Sequence, residues 1–357
     1  MGIPECLIEF RRKALDMSWR SARGVVALVL KDTTGTVKGK TVTYKSFDEV
    51  KESDWTEDNY DFLRLTFLGE PSKVIVEVID DFAAGDKTLD KGLEKLEYFK
   101  FNYLAVPEIP SDSVAKVEAW ITKMRKKGRT YKAVLTGVKS KTEKGLINFT
   151  TKGIKVKDKA YSTEAYTARV AGILAGLPST QSITYHVLEE VTEITVHEDE
   201  NAAVDNGELI LTNDGEKIKF VRGVTAMTEV GLGEIEDFKK IKILDTADLI
   251  KADIQDTWEN YYVGKVMNTY PNKVLFFGAI KGYLDSLRKQ ELLDPNVINE
   301  ADVAFEAQKK WIKGTGVDVT TMTEQELKEF NTGSYVFGYA KFRIADAMED
   351  LKLELYM

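Results

Sequence analysis

Residues Tyr166–Val191 read YTARVAGILAGLPSTQSITYHVLEEV. The first half is built from Ala, Gly, Val, Ile and Leu, and Pro178 stops it. Its apolar run, Val170 to Pro178, is far short of the ~20 residues that cross a bilayer. A membrane span is therefore rejected. With Ser162 in front of it, the segment predicts a helix over 162–176. Its small residues Ala168, Gly172 and Gly176 form a face for close packing on a sheet or another helix. After Pro178 the pattern alternates, which predicts a strand beginning at Ser182–Leu188.

Working outward, RGVVALVLKD (Arg23–Asp32) predicts a buried strand rich in β-branched residues. A loop and short strand follow in GTVKGKTVTYKSF, then a helix over Trp55–Phe67 and a strand over Ser72–Asp80. KFNYLAVPE, YKAVLTGV and GLINFTT read as further strands. Between them SDSVAKVEAWITKMRKKG reads as a helix with Val114, Val117, Ile121 and Met124 on one face and Gly128 at its end. This β-α-β order predicts an α/β layer with parallel strands. In GELILTNDGEKIKFVRGV, Leu209 and Leu211 are expected to face Ile218 and Phe220 across an Asp214-Gly215 turn. Long helices are predicted from about Asp245, with Ile250, Ile254, Trp258 and Tyr261 at helical spacing, and over KVLFFGAIKGYLDSLRKQ. The chain closes on Leu351, Leu353, Leu355 and Met357 alternating with Lys352, Glu354 and Tyr356.

Chemistry-bearing motifs fail one by one. GTVKGKT (Gly35–Thr41) has three residues where a P-loop needs four, and no helix is expected after it. GLGEIE (Gly231–Glu236) has Glu236 where a dinucleotide fingerprint needs glycine. The two histidines are His186 and His197; His197-Glu198 lacks a second histidine at Asn201. Cys6, the single cysteine, cannot form an internal disulfide, which fits a reducing compartment. MGIPECLIEFRRK carries charges where a signal peptide needs its apolar stretch. The acidic run Glu189–Glu200 lacks EF-hand spacing, and the basic run Lys123–Lys132 suits a helix C-terminus better than nucleic acid. A net charge of −8 also argues against nucleic acid. No catalytic, cofactor-binding or metal-ligating residue is assigned, and no cofactor is expected.

Both chain ends alternate without an evident neighbour. They either pair inside the fold or are donated to the sheet edge of another subunit.

Several segments together resemble the contractile tail sheath proteins of bacteriophages and phage-tail-like bacteriocins. They are RGVVALVLKD, Glu164–Leu188, Gly207–Thr228 and Phe238–Asn268. The most specific is A-G-x-x-A-G-x-P (Ala171, Gly172, Ala175, Gly176, Pro178) followed by Ser182, Thr184 and Tyr185. The likeness is to the compact, diffocin-like sheaths of Gram-positive prophages and bacteriocins. The resemblance implies a multi-domain mixed α/β (α+β) fold, with a core sheet flanked by helices and extended arms at both ends. Carried onto this chain, it gives an arm at 1–20, a small β-rich domain at 21–97, a central domain at 98–250, a tube-facing domain at 251–345 and a donated strand at 346–357. It implies a structural, non-enzymatic subunit of six-membered rings stacked around a tail tube, contracting to drive the tube through a cell envelope. Its partners would be other copies, the tube protein, and baseplate and terminator proteins, with no direct nucleic-acid contact and no membrane insertion. Assembly would occur in the bacterial host cytoplasm, within a virion tail or a released bacteriocin. The inter-subunit residues implied are Leu7, Ile8, Glu9 and Phe10 on the arm and Leu351, Leu353 and Leu355 on the strand. The alternatives are a Rossmann-like nucleotide-binding enzyme and a non-contractile tail or baseplate component.

Overall fold

The computed structural model describes residues 24–82, 88–231 and 234–357. These divide into two compact units: residues 24–245 with 347–357, and residues 246–346.

The first unit is organised by β1 (Val25–Lys31), which is apolar at nearly every position because both its faces are covered. Val26, Leu28 and Leu30 point into one core; Ala27 and Val29 point into the other. Around it lie β2 (Thr41–Tyr44), β3 (Lys73–Ile79), β4 (Tyr103–Ala105), β5 (Lys132–Leu135), β6 (Leu146–Phe149) and β10 (Glu208–Leu209). They form one sheet in the order β10-β6-β5-β4-β1-β3-β2, parallel throughout except for the β2–β3 edge. One face is covered by α1 (Glu57–Phe67) and α4 (Thr163–Gly176), the other by α2 (Leu89–Leu96) and α3 (Val114–Lys126). The expected division at 97/98 falls between β3 and β4 of this sheet. Parallel neighbours need crossover connections, so one sheet recruits strands from both segments.

Helix α4 begins as expected: Ser162 caps it, its Oγ accepting from Ala165 N at 3.1 Å. Its small-residue face meets a helix. A Cβ built on Gly172 would lie 2.2 Å from the Thr66 carbonyl oxygen, and one on Gly176 would lie 1.6 Å from that of Gly69. The two helix backbones are in direct contact through α1's C-terminal turn, while α4's larger side chains, among them Tyr166 and Val170, fill the core against the sheet.

The strand expected at Ser182–Leu188 is not formed. The segment is a turn in which Tyr185 takes φ +59°. It still borrows ladder bonds: Tyr185 N donates to Phe220 O and Leu188 N to Ile218 O. Ile183 and Leu188 are buried; Tyr185 between them is exposed. The apolar alternation is therefore real, but only its ends are inserted in the core. The Asp214-Gly215 hairpin forms between β11 (Leu211–Asn213) and β12 (Ile218–Phe220), with Leu211 opposite Phe220. Leu209 does not join it; in β10 it pairs with Phe149 at the edge of the large sheet. A third sheet holds β7 (Lys152–Val156), β8 (Lys159–Tyr161) and β9 (Val191–Thr195). A short α5 (Glu200–Asp205) precedes β10.

Helix α6 (Ile241–Thr257) contains the boundary between the units. Its Asp245 receives the Tyr103 hydroxyl at 2.6 and 2.7 Å and pairs with buried Lys132 at 3.0 Å, tying it to the first residues of β4 and β5. The second unit has a π-helical turn at Trp258–Tyr262, α7 (Tyr270–Lys289), α8 (Phe305–Gly314), α9 (Glu324–Glu329), and an antiparallel pair, β13 (Glu300–Val303) with β14 (Gly338–Lys341). Its main core gathers Ile250, Phe276, Phe277, Leu284, Leu287 and Leu293.

Candidate assembly interface

The positions that could have carried chemistry are accounted for structurally. Strand order reverses at β1, the place where doubly wound sheets bind nucleotides. Here that end of β1 carries buried Asp32. Its carboxylate accepts from Thr34 N (2.7 Å), Thr56 N (3.0 Å) and Asn59 Nδ2 (2.8 Å), at the start of α1. Burial opposes its ionisation, but these hydrogen bonds outweigh burial and hold its pKa below the usual value. Gly35–Thr41 forms a turn leading into β2. Leu232 and Gly233 of GLGEIE lie outside the described residues, as does Cys6. In the basic run, Lys123 and Lys127 pair with Glu97, Arg125 with Glu143 and Lys132 with Asp245.

His186 sits half-buried beside Phe220. Burial first, and then the charge of Arg169, push its pKa down. Arg169 itself is buried on α4 and pairs with Glu190 from the acidic run at 2.5 Å; the Tyr166 hydroxyl donates to the same oxygen at 3.1 Å. Among the described residues no three His, Cys, Asp or Glu side chains are placed to hold a metal ion, and no helix is long and apolar enough to cross a membrane.

What the described residues do present is an exposed alternating segment at 351–357. Glu349 accepts from Ser182 Oγ (2.9 Å) and Thr184 Oγ1 (2.6 Å), and Asp350 pairs with Arg222 at 2.5 Å. The turn misread as a strand is thus the anchor of the tail. Beyond it Leu351, Leu353 and Leu355 are 85%, 67% and 82% exposed, and residues 351–357 pair with no strand among the described residues. Sequence reasoning marked the alternating tail but missed its anchor, because no local pattern links Ser182 to Glu349. Leu7, Ile8, Glu9 and Phe10 lie outside the described residues. In the unit 246–346, all four residues of β14 are exposed, and among the described residues it is paired with β13 alone.

A family model described as the phage tail sheath protein central domain matches residues 83–226, and one described as the phage tail sheath C-terminal domain matches residues 234–356. The chain belongs to the phage tail sheath protein family. The tail sheath protein of Clostridium phage phiCD119 is 38% identical over 367 aligned residues, covering 100% of this chain and 99% of the relative. The fold agrees with the sheath tail protein of Listeria innocua at a TM-score of 0.69 and 14% identity, covering 94% of this chain and 98% of that one. It also agrees with a chain of the contracted helical sheath of the anti-feeding prophage, at 0.66 and 13% identity, covering 94% and 93%. The sheath family and mixed α/β fold expected from Ala171–Tyr185 and the neighbouring segments are therefore established. The family is one of structural proteins.

Proposed function

We propose that this sheath-family chain is the repeating subunit of a contractile tail sheath, assembled as stacked six-membered rings around a tail tube. Its ends are exchanged between neighbours: the arm at residues 1–20, carrying Leu7 to Phe10, and the strand at 346–357, carrying Leu351, Leu353 and Leu355. Residues 251–345 turn towards the tube; 21–97 and 98–250 lie outward. The partners are further copies, the tube protein, and baseplate and terminator proteins. The chain has no catalytic role, and it is assembled in the host cytoplasm as part of a virion tail or bacteriocin particle.

The observation that carries this reading is the tail: an apolar alternation held out at 67–85% exposure just beyond an anchored Glu349-Asp350. Fully burying each leucine is worth about 1.5–3 kcal/mol. A one-sided strand is a template for another chain, and β14 supplies one. A head-to-tail contact repeated by rotation and rise builds rings or a helix. Main-chain pairing through exchanged ends tolerates rigid-body shifts between two packed arrangements, so contraction needs no nucleotide.

The test is deletion of residues 351–357. The subunit should keep its melting temperature, because the deleted side chains are exposed. It should no longer form sheath-like polymers in sedimentation or electron microscopy. Polymerisation equal to that of the full chain would refute strand exchange by the tail.

A further inference from the structure

Unit 246–346 contains a groove of ≈ 590 Å³. That volume suits a small molecule, for which pockets run to about 300–1,000 Å³. Part of its lining comes from the π-helical turn Trp258–Tyr262, a rare geometry that recurs at functional sites. Trp258 and Tyr262 stack with ring centroids 5.9 Å apart and planes 8° from parallel, and Phe276 meets Tyr262 edge-on at 4.6 Å. Gly333 and Val336 also line the groove.

Two polar groups in this apolar lining are incompletely matched. Lys273 is 3% exposed, and its ammonium donates to Gln308 Oε1 and Thr332 Oγ1, both at 3.2 Å. Both acceptors are neutral, and an ammonium has three protons to place. Among the described residues no carboxylate pairs with it. Asn268 shares Thr332. Its Nδ2 donates to Thr332 Oγ1 (3.2 Å), Gly333 O (2.7 Å) and Tyr335 O (2.9 Å), which fixes the amide orientation. Its Oδ1 is buried with no donor among the described residues. Thr332 cannot supply one: its own proton goes to Tyr335 O at 2.5 Å, and its lone pairs take Lys273 and Asn268. A buried cation without an anion and a buried acceptor without a donor are both costly.

One hydroxyl holds both side chains, so the two unmet groups are close neighbours beside the aromatic rings. Their complement is a carboxylate, an N–H next to it and a flat apolar body. The N–H must be neutral, since a second cation beside Lys273 would be repelled. We propose that the groove binds a small aromatic carboxylate of the N-acyl amino-acid class, with its carboxylate on Lys273 Nζ, its amide N–H on Asn268 Oδ1 and its ring against Trp258 and Tyr262. The site lies within one subunit and goes beyond the assembly reading: it needs no second copy of the chain. An occupant stabilises unit 246–346 by mass action.

The test uses full-length protein and four probes. N-acetylphenylalanine carries all three groups; its amide lacks the carboxylate, phenylpropionate lacks the N–H, and N-acetylalanine lacks the ring. Titration calorimetry should give N-acetylphenylalanine a Kd at least about tenfold below those of the amide and N-acetylalanine, and about fivefold below that of phenylpropionate. It should also slow hydrogen exchange in peptides covering 258–276 and leave α4 peptides unchanged. In Lys273→Met the preference for acid over amide should fall to near unity. The probe contrasts in the unaltered protein stand even if that variant folds poorly. No binding of N-acetylphenylalanine, as for a groove that takes only water, overturns the proposal. So do equal binding of acid and amide, protection outside unit 246–346 alone, or an unchanged preference in Lys273→Met.

Discussion

Replacing Gly172 with alanine tests the close approach of α4 to α1. Gly172 lies inside α4, where alanine is ordinarily preferred by about 0.8–1.0 kcal/mol. Here the new Cβ would lie 2.2 Å from Thr66 O, 2.9 Å from Thr66 C and 3.0 Å from Thr66 Cα. Those atoms are backbone and cannot rotate away. Relief requires α1 and α4 to separate by about 1 Å, loosening contacts along a core that includes Phe62, Leu65, Val170 and Ile173. Overpacking of this kind costs typically ~1–3 kcal/mol and occasionally more; with backbone as the obstacle, the upper end applies. Net of propensity, Gly172→Ala should destabilise the first unit by about 2 kcal/mol. Gly278 in α7 is the matched control. It is a mid-helix glycine whose built Cβ meets nothing within 4 Å, so Gly278→Ala should stabilise its unit by up to about 1 kcal/mol. Hydrogen exchange of the unassembled subunit, read separately on α4 and α7 peptides, reports each unit without requiring a single global transition. Opposite signs are expected. Exchange from α4 in Gly172→Ala as slow as in the parent protein would refute the close-approach argument.

Glu190→Gln removes the charge facing buried Arg169 and should cost about 2–4 kcal/mol in urea unfolding at pH 7; an unchanged midpoint would contradict it. Burial alone would raise the Glu190 pKa, but Arg169 outweighs it and holds the folded value below the ordinary one. The contribution is therefore present above the unfolded pKa of about 4.3 and lost as pH falls through the lower folded value, so parent and variant should converge in acid. Asp253 has the opposite sign. Burial, with a smaller push from Asp256, raises it to about 6 against a hydrogen bond from Tyr283 at 2.5 Å. The folded state then holds the extra proton between about pH 4 and 6, and stability falls as pH rises through that window. Asp253→Asn should flatten this dependence and raise stability at pH 7.5 by about 1–2 kcal/mol, measured as melting temperatures at pH 5 and 7.5; an unaltered slope would show that Asp253 is not its source.

Local chemistry determined what was local. Ser162 and Pro178 delimit α4, Asp214-Gly215 makes its turn, and the near-continuous apolar run of β1 marks a strand covered on both faces. Tertiary structure decided the rest. Leu209 and Leu211 share an alternation, yet one joins the large sheet and the other a hairpin, because pairing depends on which edge is open. Ala168, Gly172 and Gly176 announced close packing without saying on what; the backbone of α1 is the answer, from a segment about a hundred residues away. Ser182–Leu188 has the alternation of a strand, but Tyr185 is turned outward and the segment's hydroxyls hold Glu349. Buried Lys273 on α7 donates to Gln308 on α8 and to Thr332, so no window of sequence contains that contact. Propensity and periodicity act over a few residues, whereas anchors and grooves arise from contacts between residues far apart in the chain, which only the folded chain brings together.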